Sequence, residues 1–254
     1  QRPLYNPTGP ILPPAVRETT ANEGPAVLTD GSSCGDRTVD IYDGWNAIGW
    51  TGPETTLPDA LTGFHIDPLG YGDIPGLRID PSLAATLYAG LAFRWDAGSQ
   101  GFGRNDARLP AGLQGFTQVG RDEALWTRFS SGGGASVGVW TIPIATAESR
   151  IVALVPGWNF VVWTGPPTPP AAAFADVEIH NALSQAFTWD AATQTYLRYE
   201  VGAPAFVQTM PTLAYGDPVW LLAKTSYSWT MPSADLACGD AALLPDFGAG
   251  NDAI

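Results

Sequence analysis

Lysine is nearly missing from this chain. Lys224 stands alone beside eleven arginines, against 25 acidic residues and a net charge of −13. A protein that grips nucleic acid through its phosphates needs clustered Lys and Arg, so that class of partner is excluded. Acidity on this scale serves solubility and attracts cations and basic partners. Histidine occurs twice (His65, His180) and cysteine twice (Cys34, Cys238). No His or second Cys lies at ligand spacing from another, so no metal site of the zinc kind is expected. No apolar run approaches the roughly 18 residues a spanning helix needs, so no membrane span is expected. GxSxG, HExxH and P-loop motifs are missing, as is GxGxxG between a strand and a helix. The usual signatures of hydrolases, zinc proteases and nucleotide enzymes go with them. The sequence therefore points to no enzyme and calls for no cofactor.

What is present is apolar and rich in turns. Hydrophobic residues make up 45% of the 254 and charged residues only 15%, enough to build a large core in one or two domains. Glycine (29) and proline (23) are about a fifth of the chain, which favours many turns over long helices. The chain starts at Gln1 without Met or a basic, apolar leader. That fits a mature exported chain and equally one cut for expression. Both cysteines precede Gly-Asp, in "SSCGDR" and "LACGDA". In an exported chain the pair reads as one disulfide, Cys34–Cys238, worth on the order of 4–5 kcal/mol for so long a loop. Two free buried thiols are the alternative.

The ten tryptophans organise everything else. "GWNAIGWTGP" (Gly44–Pro53) and "GWNFVVWTGP" (Gly157–Pro166) share seven of ten letters. Trp45 and Trp50 map to Trp158 and Trp163 at an offset of 113; Trp95 and Trp126 map to Trp189 and Trp220 at 94; Trp140 maps to Trp229 at 89. Local words travel with them: "FRWD" answers "FTWD", "DEALW" answers "GDPVW", and "VWTIP" answers "SWTMP". A self-match of this kind marks a duplicated structural unit. The chain divides into an extended N-terminal arm (1–38), module A (39–144, with an insertion about 63–81), module B (150–232) and a C-terminal tail (233–254). The changing offsets place about nineteen extra residues before Trp95 and five before Trp140, the latter seen as the loop "SSGGGAS".

Within module B, "RIVALVPGWNFVVWTG" reads as strand, turn, strand, and "FTWDAATQTYLRYEV" as a hairpin turning at Asp190. "TLAYGDPVWLLAKTSYSWTM" holds a turn at Gly216-Asp217-Pro218 and two more strands. Between them, "AAAFADVEIHNALSQAF" places apolar residues at 174, 177, 183 and 186 on a helical face. Module A repeats the order, its helix capped by Asp80 and Pro81 and striped by Leu83, Leu87 and Leu91. The expected fold is β-rich α+β, two tandem homologous modules of mainly antiparallel strands with one short helix each. Barrel and open sheet both remain open for a module.

At these residues the chain resembles a Trp-rich repeat of about ninety residues found in exported bacterial and archaeal surface proteins. The motif reads Gly-Trp-Asn, a short helix, a Trp-Asp hairpin, then a Gly-Asp turn before an apolar-Trp strand. Gly157-Trp158-Asn159, Trp189-Asp190, Thr193-Gln194, Tyr196, Tyr199 and Gly216-Asp217 carry it in module B. Module A departs, with Arg121-Asp122 in place of Gly-Asp and "GSQGFGRN" in place of "ATQTYLRY". The resemblance implies an accessory module of surface-layer, adhesive or other extracellular proteins. It does not fix an activity.

Candidate chemistry is thin. His180 sits in the helix of module B and has no counterpart in "LAATLYAG"; His65 lies in the insertion. Asp96 and Asp190 follow equivalent tryptophans, and an Asp opening a turn bonds its own backbone. Asp67, Asp73 and Asp80 lie in the insertion without the order of a calcium loop. Exposed indoles stack on sugars, but all ten (Trp45, Trp50, Trp95, Trp126, Trp140, Trp158, Trp163, Trp189, Trp220, Trp229) recur among apolar neighbours. That assigns them to the core, with Asn46 and Asn159 serving turn backbone. The first functional expectation is an extracellular, non-enzymatic structural subunit that assembles with copies of itself in a filament, sheath or surface layer. Its arm would donate a strand to a neighbour. The second is a secreted module that contacts glycans or another surface ligand.

Overall fold

The computed structural model describes residues 33–65, 91–106, 108–129, 136–145 and 150–234. The arm up to residue 32, most of the module A insertion, the glycine loop 130–135 and the tail from 235 lie outside them. So do Asp67, Asp73, Asp80, Pro81, Leu83, Leu87 and Cys238, with the roles expected of them.

The molecule is β-rich, and its strands are antiparallel throughout. Module A opens with β1 (Ser33–Tyr42), so the first strand includes residues that the tryptophan pattern left to the arm. It pairs with β9 (Ser136–Ala145), which also pairs with the two-residue β4 (Phe64–His65). The main sheet runs β2 (Gly44–Trp50), β8 (Glu123–Phe129), β5 (Leu91–Asp96), β6 (Gly101–Asp106). A short pair, β3 (Thr55–Thr56) with β7 (Gln118–Val119), closes one end. Module B repeats this. β10 (Arg150–Leu154) pairs with β15 (Tyr227–Met231), and its main sheet runs β11 (Gly157–Val162), β14 (Pro218–Ala223), β12 (Leu183–Asp190), β13 (Thr195–Glu200). Each main sheet is open, with β6 or β13 on its outer edge.

Gly44 and Gly157 make the corner where the chain leaves one sheet for the other. Both have φ near +100° (104° and 101°), a conformation that costs a side chain dearly. Asn46 and Asn159 lie buried beneath the corner. Asn46 accepts from Tyr42 N (2.9 Å) and donates to Tyr42 O (2.8 Å); Asn159 does the same for Val155 (3.0 and 2.9 Å). The expected role in the turn holds, and the groups served are those before the glycine.

The "WTGP" half of the phrase is a second fastening. Trp50 Nε1 donates to Pro53 O (2.9 Å) and Trp163 Nε1 to Pro166 O (3.0 Å). The glycine between them has no Cβ because the indole ring lies there. The threonine hydroxyls reach Pro143 O and Pro232 O, tying this corner to the last strand of each module.

Helix in module B is scarcer than the apolar spacing predicts. Module A has α1 (Leu57–Ala60), and module B has α2 (Pro170–Ala173) and α3 (Val177–Ala182). Asp176 caps α3 by accepting from Glu178 N and Ile179 N. The helical face expected through 183 and 186 is wrong: Leu183 and Ala186 are in β12, paired with Ala223 and Leu221 of β14. Leu91, placed on the module A helix, opens β5 instead, paired with Asp106 and Arg128. In both modules residues that face the core at helical spacing also fit a strand, and pairing with β14 or β8 decides.

Candidate functional site

The two main sheets pack face to face, and the faces in contact are aromatic. Alternate residues of β2 divide between them: Ile48 and Trp50 enter module A's own core, while Trp45 and Ala47 join the layer between modules. That layer is built from Phe93, Trp126, Phe187 and Trp220, all buried, ringed by Trp45, Trp95, Phe102, Trp158, Phe160, Trp189 and Tyr196. Rings meet across it edge-on: Trp95 with Trp220 at 5.1 Å and Trp126 with Trp189 at 5.1 Å. The ten tryptophans thus split. Trp50, Trp126, Trp140, Trp163, Trp220 and Trp229 are buried, as a core role requires; Trp45, Trp95, Trp158 and Trp189 are half-buried at the rim between modules.

Those four carry a reciprocal clasp. Trp95 Nε1 donates to Trp158 O (2.8 Å), and Trp189 Nε1 donates to Trp45 O (2.7 Å). Gln100 accepts from Trp158 N (2.8 Å) and donates to Trp158 O (2.9 Å); Gln194 does both to Trp45 (2.8 and 2.8 Å). Each glutamine stands in the hairpin turn after its module's Trp-Asp, at φ 52° and 54°. A Cβ on Gly157 or Gly44 would strike the glutamine amide at 2.6 or 2.5 Å. Asp96 and Asp190 hold these turns, through Ser99 Oγ (2.7 Å) and Thr193 Oγ1 (2.7 Å) and the backbone N–H two residues on. Those bonds, with the hydroxyl first, lower both carboxyl pKa values. The turn role expected for them holds.

Arginines add a second reciprocal pair. Arg37 on β1 donates to Gly216 O (3.2 Å) and to Gly49 O, and Arg150 on β10 donates to Asp122 O (2.7 Å). Positions 37 and 150 stand 113 apart, like the phrases that follow them. Burial lowers Arg37 to about 10, with Asp217 and Tyr215 opposing, so it is charged at neutral pH. The turn before β8 needs a corrected register. Gly120 N bonds Glu123 Oε2 (2.7 Å) as Ala214 N bonds Asp217 Oδ2 (2.7 Å), so Glu123 is the counterpart of Asp217. Asp122 answers Gly216, and both have positive φ (56° and 88°).

Some polar groups at this interface have no partner. Trp126 Nε1, Trp220 Nε1 and the Tyr196 hydroxyl are buried without one, and burial raises the Tyr196 phenol far above its ordinary value. The counterpart of Tyr196 is Phe102, 94 residues earlier. Tyr196→Phe is therefore expected to leave stability unchanged or raise it by up to about 1 kcal/mol, because no bond is lost and an unsatisfied hydroxyl goes. Urea denaturation of the pair of proteins measures this, and a loss above about 1 kcal/mol would show a hidden partner.

A cleft of about 330 Å³ opens beside the clasp. Module A lines it with Arg37, Asp40, Ala47 and Gly49, and module B with Thr188, Trp189, Asp217 and Pro218 among others. Asp217 is pushed up by burial, with the Ala214 N–H and Arg37 opposing. Of the remaining candidates, His180 is half-buried on α3 and His65 lies on β4, opposite Val139. Cys34 lies in β1, and the disulfide expected with Cys238 falls outside the described residues. Among the described residues no group of three or more His, Cys, Asp or Glu could hold a metal ion, and no helix is long and apolar enough to cross a membrane. No protein family, curated protein or solved structure matches this chain.

Proposed function

We propose that this chain is a non-enzymatic extracellular structural protein that assembles with copies of itself, as the subunit of a filament, sheath or surface layer. The β10–β15 ribbon carries the reading. Among the described residues β10 pairs with β15 alone, and the ribbon's outward residues, Ile151, Ala153, Ser228 and Thr230, are exposed and uncharged. Ile151 is 69% exposed. Edge strands of proteins that stay single are usually guarded by charge or covered. Module A has such a guard: Asp40 stands where module B has Ala153, and Thr38 where it has Ile151. β4 also covers the far side of β9, a place where, among the described residues, no strand lies beside β15. The resemblance of the repeat to modules of exported surface proteins supports the same reading. Pairing of two β10 strands would cover Ile151 and join two copies about a two-fold axis; that contact closes at a dimer, and a filament or layer grows from such dimers through a further contact. Donation by the arm falls outside the described residues, so the proposed contact is strand β10 of one copy on β10 of another.

A charge of −13 on each copy opposes contact. Salt shortens the range of that repulsion, from roughly 30 Å at 0.01 M to about 8 Å at 0.15 M. Light scattering should therefore give a mass that grows with protein concentration, and more steeply at the higher salt. Ile151→Lys should hold the chain at monomer mass under both conditions. A wild-type chain that stays monomeric at high salt and high concentration contradicts the proposal.

A further inference from the structure

The tryptophans and glutamines of the clasp repeat in both modules, so the places where the modules disagree are informative. Three of the disagreements in the cleft put a smaller residue on its wall. Module A has Ala47 where module B has Phe160, and Gly49 where it has Val162; module B has Thr188 where module A has Arg94. On the far side of the pseudo-axis the bulkier residues occupy the space. Phe160 stacks between Trp220 (4.3 Å) and Trp126 (6.1 Å), while Arg94 lies over Phe116 and pairs with Glu123 at 3.4 Å. On the cleft side the equivalent atoms are missing, although Leu197 exceeds its counterpart Gly103.

What lines the cleft has a definite chemistry. Thr188 is part of its wall and is 8% exposed, with its hydroxyl buried and unpartnered. Asp190 and Asp217 are occupied, the first by its own turn and the second by the Ala214 N–H beside Arg37. Asp40 is exposed at the rim and has Ala153 as its counterpart. Trp189 spends its only N–H on Trp45 O, so its ring carbons are what a ligand in the cleft meets. A volume of about 330 Å³ is the size of a small-molecule site. An indole edge or face and an exposed carboxylate suit a molecule with C–H faces and several hydroxyls.

We infer that the cleft between the modules binds a neutral pyranose sugar, which bonds Asp40 through its hydroxyls and packs on Trp189 and Thr188. The site is independent of the β10 edge and stands whether or not the chain assembles. The test is titration of the full chain with methyl glucoside, methyl galactoside, methyl mannoside, N-acetylglucosamine and their short oligomers. Tryptophan fluorescence and saturation-transfer NMR report binding. At least one sugar should bind saturably. Thr188→Arg, which copies Arg94 and has Asp217 in place of Glu123 to pair with, should abolish it. Asp40→Ala, at an exposed residue remote from the cores, should weaken it about tenfold, the loss expected for one hydrogen bond to a charged group. Binding unchanged in both variants, or no binding by any sugar of the panel at millimolar concentration, overturns the inference.

Discussion

Trp126→Ala should cost about 3–5 kcal/mol, the range for deleting a buried aromatic ring. Trp126 is fully buried and meets Trp45 and Phe160 at 6.1 Å, Trp189 at 5.1 Å and Tyr196 at 6.1 Å. Three of those four partners belong to the other module, so the cavity opens in the seam and cannot close by relaxation of one sheet. Trp220→Ala should cost a similar amount on the opposite side. Both rings flank Phe160, so the double variant should lose less than the sum of the single losses, because the second deletion finds that stack already broken. Urea denaturation of the four proteins gives the cycle. A loss below about 1 kcal/mol for either single change would mean that the aromatic layer does not hold the modules together.

Gly49→Ala should destabilise by about 3 kcal/mol, the upper end for overpacking. A methyl group there would overlap the carbonyl oxygen of Gly216 and crowd both methyls of Val162, all in the other module. The obstacle is backbone, held in turn by Arg37, so it cannot swing away as a long side chain would. The backbone at Gly49 needs no positive φ, so the effect is steric and does not arise from strain of the alanine itself. Alanine tolerated at this position, with less than about 0.5 kcal/mol lost, would refute the close approach of the two backbones.

The tryptophan register made the duplication, the main strands and the Asp190 hairpin legible in the residue order alone. It could not show that the repeated faces are turned toward each other, since the tryptophan spacing is the same for modules that touch and for modules on a string. The correspondence of Gln100 with Gln194 was hidden because "GSQGFGRN" and "ATQTYLRY" look dissimilar, although the offset of 94 puts one glutamine on the other. Arg37 was hidden by a boundary drawn at 39, two residues past it. Leu183 and Ala186 satisfied a helical spacing and a strand alternation at once, and only long-range pairing separates those. The cleft was the least legible feature. It is made by Ala47, Gly49 and Thr188 being small where Phe160, Val162 and Arg94 are large, and smallness matters only once the facing surface is known.

The phrase that opens each module is, in this account, a fastening between modules: Gly and Trp supply the backbone that the other module's glutamine and indole hold. Two folds joined by a buried aromatic layer and paired hydrogen bonds should unfold together. Scanning calorimetry of the full chain and of Trp126→Ala is the direct test. The account predicts one endotherm in each, with calorimetric and van't Hoff enthalpies equal for the intact chain. Two separable endotherms in the intact chain, or a shift in Trp126→Ala confined to one of them, would show two modules that merely share a chain.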